Sequence, residues 1–347
     1  MAIAPSSDFI QWLLQQLSQI YRHSFQREHI SIDGLTGDAG FRQYFRVTVP
    51  GGTTVIAVNA PPNLSNNLGF VSVSNVLSHH RVNVPKVLSF DEQQGFMLLD
   101  DLGDRQFYDV LEQESLVAWY KKAIDELVKI SGINCSKCNV ELPEYDDQFV
   151  LTELTIFVEW LVEKYLSISL TQTERQNLSD CFSVLTRNVA QQPKVFMHRD
   201  YHSRNLMVVN GDIAVIDFQD AVHGALTYDI VSLLRDCYKK LDKQVVDELL
   251  DYYFSQLRSQ DTTSHLVGDV ERVNLQRWFD LMGMQRHIKA SGIFARLALR
   301  DNKFGYLKDI PLTLDYIVEV SAHYSELSWI GEFVEYSVKP KLVEMTR

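Results

Sequence analysis

Residues 7–21 set the first pattern. Trp12, Leu13, Leu17, Ile20 and Tyr21 recur at helical spacing behind Ser6 and Ser7, either of which can cap the first turn. This predicts an amphipathic helix. The period then changes. Tyr44–Val49 and Thr53–Val58 are β-prone runs flanking Pro50-Gly51-Gly52, which reads as a hairpin. Pro61-Pro62-Asn63 breaks the chain, a helical stretch follows around 67–80, and two short strands, 86–90 and 96–99, enclose the polar turn 91–95.

Beyond Asp100-Asp101-Leu102-Gly103 the helical period dominates. Residues 114–130 carry Leu116, Trp119, Tyr120, Ile124, Leu127 and Val128 and stop at Ser131-Gly132. Residues 147–166 repeat the pattern with Leu154, Phe157, Val158, Leu161 and Tyr165, and Thr171-x-x-Glu174 is a capping box that opens another helix. Strands first and helices afterwards predict an α+β protein rather than a doubly wound sheet. The expected division is a strand-rich lobe over 1–102 and a helical lobe over 103–347.

Composition narrows the function. The chain has 347 residues and a formal net charge of -12, which disfavours nucleic acid and anionic membranes as partners. No apolar run is long enough to span a bilayer, and the first residues lack the basic flank of a secretory signal. Four cysteines do not make a disulfide framework in a chain of this length, so a reducing cytoplasm is the expected compartment. Cys135 and Cys138 have CxxC spacing, but no second pair follows, and incidental cysteines are the expected reading.

The chemistry concentrates in residues 195–217. Leu206–Val209 and Asp212–Ile216 are apolar runs joined by Asn210-Gly211, the signature of a type I′ hairpin. In that register Val209 opposes Asp212 and Arg204 opposes Asp217, so Asn205 and Asp217 share the open end of the hairpin. An amide oxygen beside a carboxylate suits Mg2+. Asp200 lies in the loop feeding the hairpin and can serve as a base. A base, two metal-binding groups and a rigid support are what phosphoryl transfer requires.

His198-Arg199-Asp200, Asn205 and Ile216-Asp217-Phe218 resemble the catalytic loop and metal motif of kinase-like folds, in the form found in the aminoglycoside phosphotransferase and choline kinase branch. The resemblance implies a bilobal protein-kinase-like fold, ATP and Mg2+ as cofactors, and a small-molecule acceptor. It implies Asp200 as catalytic base and Asn205 and Asp217 as metal ligands. Asp229 would brace the catalytic loop, and His198 is read as a second brace. Gly37, Asp38, Ala39 and Gly40, ahead of Tyr44, resemble the nucleotide loop, and Leu99, Asp100 and Asp101 resemble the adenine-binding hinge. A narrower resemblance, to bacterial kinases of N-acetylmuramate and N-acetylglucosamine, rests on Gly37–Gly40, Asn59–Pro62, His198–Asn205, Ile216–Ala221 and Gln285–Arg296. It implies a sugar acceptor phosphorylated at the anomeric hydroxyl.

One departure stands out. Kinases of this fold place a lysine on the third strand, whereas this chain reads Val55-Ile56-Ala57-Val58-Asn59. Arg42 or Arg46 is therefore the candidate cation for the phosphates. Candidate acceptor residues are His202, Arg204, Gln219, Asp220, Arg235, Asp236, Gln285 and His287, with a solvated helix face as the alternative for 285–289. Three other readings stay open: phosphorylation of aminoglycosides or other small alcohols, a pseudokinase that binds without turnover, and a metal hydrolase built on His198, Asp200 and His202.

Overall fold

A computed structural model describes residues 5–35, 41–111, 115–138 and 140–345. Numbered along the chain, the strands are β1 Ser31–Leu35, β2 Gln43–Thr48, β3 Thr54–Asn59, β4 Val87–Asp91, β5 Phe96–Asp100, β6 Lys194–Met197, β7 Leu206–Val209, β8 Asp212–Val215 and β9 Val222–Ala225. The helices are α1 Ser7–Tyr21, α2 Asn67–His79, α3 Leu116–Ser131, α4 Asp147–Ile156, α5 Gln172–Ala190, α6 Tyr228–Leu234, α7 Lys243–Ser259, α8 Ser264–Val267, α9 Arg272–Asp301, α10 Ile310–Ser321, α11 Ser328–Phe333 and α12 Lys339–Met345.

The chain divides into two compact units. The first takes the residues up to Asp109, then Lys137–Glu141 and Arg204–Asp220; the second takes Val110–Ser136, Leu142–Ser203 and the chain from Ala221 onward. The hairpin that carries Asn205 and Asp217 thus groups with the N-terminal sheet.

In the first unit the strands form an antiparallel sheet in the order β1-β2-β3-β5-β4. Alternation along β2 and β3 buries Phe45, Val47, Val55 and Ala57 on one face. Helix α1 covers that face with Phe9, Trp12, Leu13 and Leu17, and the Phe9 ring meets Phe96 edge-on at 5.0 Å. Ser6 caps the helix, accepting the Phe9 amide at 3.2 Å. The β2–β3 turn places Gly51 and Gly52 at φ 97° and 84°, a region other residues rarely adopt. Strand β1, which the sequence pattern did not reveal, pairs with β2 along its whole length.

The second unit is helical, with the two-stranded β6–β9 ribbon as its only sheet among the described residues. Its axis is α9. Every residue from Leu281 to Lys289 is buried, because other helices surround the middle of α9 on all sides. Of the two readings left open for 285–289, the solvated helix face is thereby excluded. Helix α4 runs on into a wide turn of π geometry over Phe157–Tyr165. At that junction Gly292 of α9 sits so close that a Cβ there would lie 2.6 Å from the Phe157 backbone nitrogen. Thr171 and Glu174 form the expected capping box at the start of α5.

Candidate active site

In the first unit the hairpin follows the sequence register. Val209 opposes Asp212, and Asn210 and Gly211 turn with φ 52° and 85°, as a type I′ turn demands. The pairing carries past the strand ends through the Ile216 amide, which donates to the Asn205 carbonyl at 3.0 Å. Three bonds tie the hairpin to its own unit. The Val215 amide donates to Asn83 O at 2.7 Å, Asn83 Nδ2 to Ile213 O at 3.2 Å, and the Val208 amide to Arg105 O at 2.8 Å.

At the open end Asn205 Nδ2 donates to Asp217 Oδ2 at 3.3 Å, and Gln219 Nε2 donates to Asp217 Oδ1 at 2.8 Å. Asp217 holds φ 64°, a left-handed conformation unusual outside glycine that projects its carboxylate into solvent. The following Phe218 is buried, 5.0 Å from Phe70. This donor set fits Mg2+. That ion takes one or two protein oxygens and fills its remaining positions with phosphate and water. A half-turn of the Asn205 amide presents its oxygen to the same point. Arg204 lies over the Tyr108 ring, and Asp220 is exposed.

The nucleotide candidates differ in their engagements. Gly37, Asp38, Ala39 and Gly40 lie outside the described residues. Arg46 grips Asp101 and Asp104, each at 2.6 Å, and so ties β2 to the segment after β5. Arg42 has no carboxylate partner among the described residues. It donates to the Asn66 carbonyl at 3.0 Å and lies 5.5 Å from the Phe70 ring centre, while its Nε is buried without an acceptor. Leu99 is in the core, and the Asp100 carboxylate accepts the Lys86 amide.

In the second unit β6 ends at Met197, and residues 198–203 form a loop fixed at each end. Buried Asp229 receives the amides of His198 at 2.7 Å and Arg199 at 3.0 Å. Tyr201 donates its hydroxyl to Ala123 O at 2.7 Å. Buried Asp236 receives the Ser203 amide at 3.0 Å and the Ser203 hydroxyl at 2.5 Å. Arg199 takes φ 75°, also left-handed, and the two bonds to Asp229 frame that strain. Burial pushes the Asp229 carboxyl up to about 7 against those two amides.

Half-buried Asp200 is different. Burial works against its charge, yet the cations of Lys289, His202, Arg199 and Arg286 outweigh it and hold the carboxyl below the usual range. Two of those cations share one anion. Glu153 pairs with Arg199 and with Lys289, both at 2.9 Å, and accepts the Tyr145 hydroxyl at 2.6 Å. Lys289 also donates to Tyr228 Oη at 2.8 Å. The network is nearly dry, so Glu153 keeps Lys289 protonated despite its burial.

Several acceptor candidates are buried within hydrogen-bond and ion-pair networks. Gln285 is buried and donates to Tyr145 Oη at 2.8 Å and to Glu153 at 3.2 Å. His287 is buried against Tyr316, ring centres 4.4 Å apart, and donates to Arg235 O at 2.9 Å. Burial and the Arg286 charge depress its imidazole to about 3, so it stays neutral. Arg235 pairs with Asp280 at 2.5 Å over the Phe279 ring. The residue that sequence reasoning missed is Glu153. Its signal was a charge on an apolar helical stripe, since Val150, Glu153, Leu154 and Phe157 share one face. Cys135 opens a 3-10 turn that ends at Lys137, Cys138 follows it, both are thiols, and no group of three metal-binding side chains converges among the described residues.

The matching family model is that of the phosphotransferase enzyme family, over residues 31–264. The chain belongs to this family. It is 39% identical to a Neisseria meningitidis protein named N-acetylmuramate/N-acetylglucosamine kinase, over 84% of this chain and 86% of that one. It is 35% identical to a Pseudomonas putida protein of the same name, over 93% and 94%. Among solved structures, ethanolamine kinase of Plasmodium vivax has a TM-score of 0.61 at 13% identity, covering 88% of each chain. The ADP-bound aminoglycoside phosphotransferase APH(2'')-Ib has a TM-score of 0.57 at 13% identity, covering 90% of this chain and 98% of that one. The fold of this phosphotransferase is therefore the kinase-like α+β fold, with a strand-rich N-terminal part and a helical C-terminal part. Among the described residues, no helix is long and apolar enough to cross a membrane.

Proposed function

We propose that this phosphotransferase moves the γ-phosphoryl group of ATP to the anomeric hydroxyl of N-acetylmuramate or N-acetylglucosamine, as a cytoplasmic step in reuse of cell-wall sugars. Residues 1–102 would serve the nucleotide and 103–347 the acceptor. The observation that carries the reading is the clamped, ionised Asp200 five residues ahead of Asn205, whose amide adjoins Asp217. The names of the two bacterial relatives supply the acceptor.

In this reading Asp200 takes the proton of the acceptor hydroxyl as that oxygen bonds to the γ-phosphorus. The bond from the γ-phosphorus to its bridging oxygen breaks, and ADP leaves with the electron pair. Asn205 and Asp217 would hold Mg2+, which neutralises charge on the phosphates when bound. Arg42 stands in for the missing strand lysine as the phosphate cation, since Arg46 is committed to Asp101 and Asp104. Lys289 and Arg199 keep the base ionised, Asp229 and Asp236 hold its loop, and His202 lies on the acceptor side.

The test is coupled ADP release with Mg2+ over N-acetylmuramate, N-acetylglucosamine, aminoglycosides, choline and homoserine. Turnover with the two amino sugars, yielding an alkali-stable but acid-labile sugar phosphate, is expected. ATP binding with no turnover on any acceptor would replace this reading with a pseudokinase.

A further inference from the structure

The aromatic side chains of the second unit include a buried set and a partly open one. Tyr120, Tyr145, Tyr201, Tyr228 and Tyr253 are fully buried and serve its core. A separate run of rings starts at the catalytic loop and stays half-open. His202, two residues after Asp200, meets Tyr238 edge-on with centres 5.4 Å apart. Tyr238 adjoins Phe294 at 6.4 Å, and Phe294 stacks on Tyr306 at 5.7 Å and 14°. His202, Tyr238 and Tyr306 are each only partly buried, whereas Phe294, between the last two, is 6% exposed and anchors the run to α9.

One carboxylate sets the position of Tyr238. Asp236 accepts the Tyr238 amide at 3.0 Å through Oδ1 and the Ser203 amide at 3.0 Å through Oδ2. The same buried group therefore holds the end of the loop that carries Asp200 and the backbone of the ring beside it. A ring so fixed has a defined offset from the base, which a side chain serving only to fill the core would not need.

We infer that Tyr238, with His202 at its edge and Phe294 and Tyr306 behind it, is the wall on which the acceptor amino sugar rests. The inference deepens the amino-sugar reading and depends on it. A pyranose offers one face of C–H groups, and an N-acetyl group adds a methyl. An aromatic ring covers such apolar surface at little conformational cost, because it has only two side-chain torsions to fix. Seating the sugar there holds its hydroxyl against Asp200, and a fixed near-attack geometry is a large source of rate.

The test uses Tyr238→Leu, which keeps apolar bulk but removes the ring, and Tyr238→Phe, which keeps the ring but removes the hydroxyl. Loss of several tens of Å2 of apolar contact predicts that Tyr238→Leu raises the sugar KM about tenfold. The KM for ATP should not move, and Tyr238→Phe, which keeps the ring, should raise the sugar KM far less than Tyr238→Leu does. Preference for N-acetylglucosamine over glucose should shrink in Tyr238→Leu alone. An unchanged sugar KM in Tyr238→Leu, in an enzyme that turns over amino sugars, would overturn the wall and spare the kinase. A wild-type protein that phosphorylates no amino sugar would overturn both.

Discussion

Arg199 donates its backbone amide to Asp229 from a left-handed conformation, at 3.0 Å and φ 75°. The bond holds in place a geometry that arginine seldom adopts. It sits next to Asp200, so the strained residue and the proposed base share a peptide bond.

That relationship carries a pH dependence. The Asp229 carboxyl is raised from 3.8 to about 7 in the folded chain, with burial as the main cause. Between those two values the native state holds the proton more tightly than the unfolded chain. Stability from this group is therefore greatest below the unfolded value, declines as pH rises toward 7, and is flat above. Melting temperatures of the wild type and Asp229→Asn across pH 4–8 should diverge by this slope. Parallel curves would show that Asp229 does not titrate as described.

Replacing Asp200 with Asn should lower kcat by about 10²–10⁴ while leaving ATP affinity in place. The substitution keeps size and removes only the proton acceptor. Rates of ADP release together with nucleotide binding check it, and an Asp200→Asn enzyme with full activity would remove the base from the mechanism.

Arg42 and Arg46 should separate cleanly. Loss of a charged hydrogen bond to phosphate predicts a fall of about tenfold or more in ATP affinity for Arg42→Ala, with adenosine affinity unchanged. Arg46→Ala should instead act through the fold, because Arg46 joins β2 to Asp101 and Asp104. Titration of both nucleotide and nucleoside decides between them.

Breaking the buried triad is expected to be costly. Glu153→Gln removes the carboxylate that Arg199 and Lys289 share and leaves Asp200 as the remaining anion beside them. Removing one partner from a buried ion network costs about 3–5 kcal/mol, which denaturant unfolding would register. Gly292→Ala should also destabilise, by about 1–3 kcal/mol, because the added carbon meets the backbone at Ile156 and Phe157.

The legible parts of this chain were those governed by local chemistry. Ser6, Thr171 and Asn210-Gly211 marked a helix start, a capping box and a hairpin, and each forms as read. The hairpin register also brought Asn205 to Asp217. What escaped depends on distant partners. Strand β1 gains its place only by pairing with β2, and β9 only by pairing with β6. The charges of Gln285–Lys289 left a wet surface open as one of two readings, because a helix period cannot show that other helices enclose every face. The left-handed backbone of Arg199 has no signature in residue type, and that of Asp217 only a weak one, since aspartate visits this region more often than most residues but far less than glycine.

The assignment of Arg204–Asp220 to the first unit has a consequence for how the protein is made. Neither unit is one uninterrupted stretch of polypeptide. During synthesis the N-terminal sheet emerges long before the hairpin that completes its unit, so the unit is whole only once about residue 220 has left the ribosome. A gene truncated near residue 109 would encode an unfinished body, and moving the whole unit as a cassette into another enzyme would require grafting three separated segments.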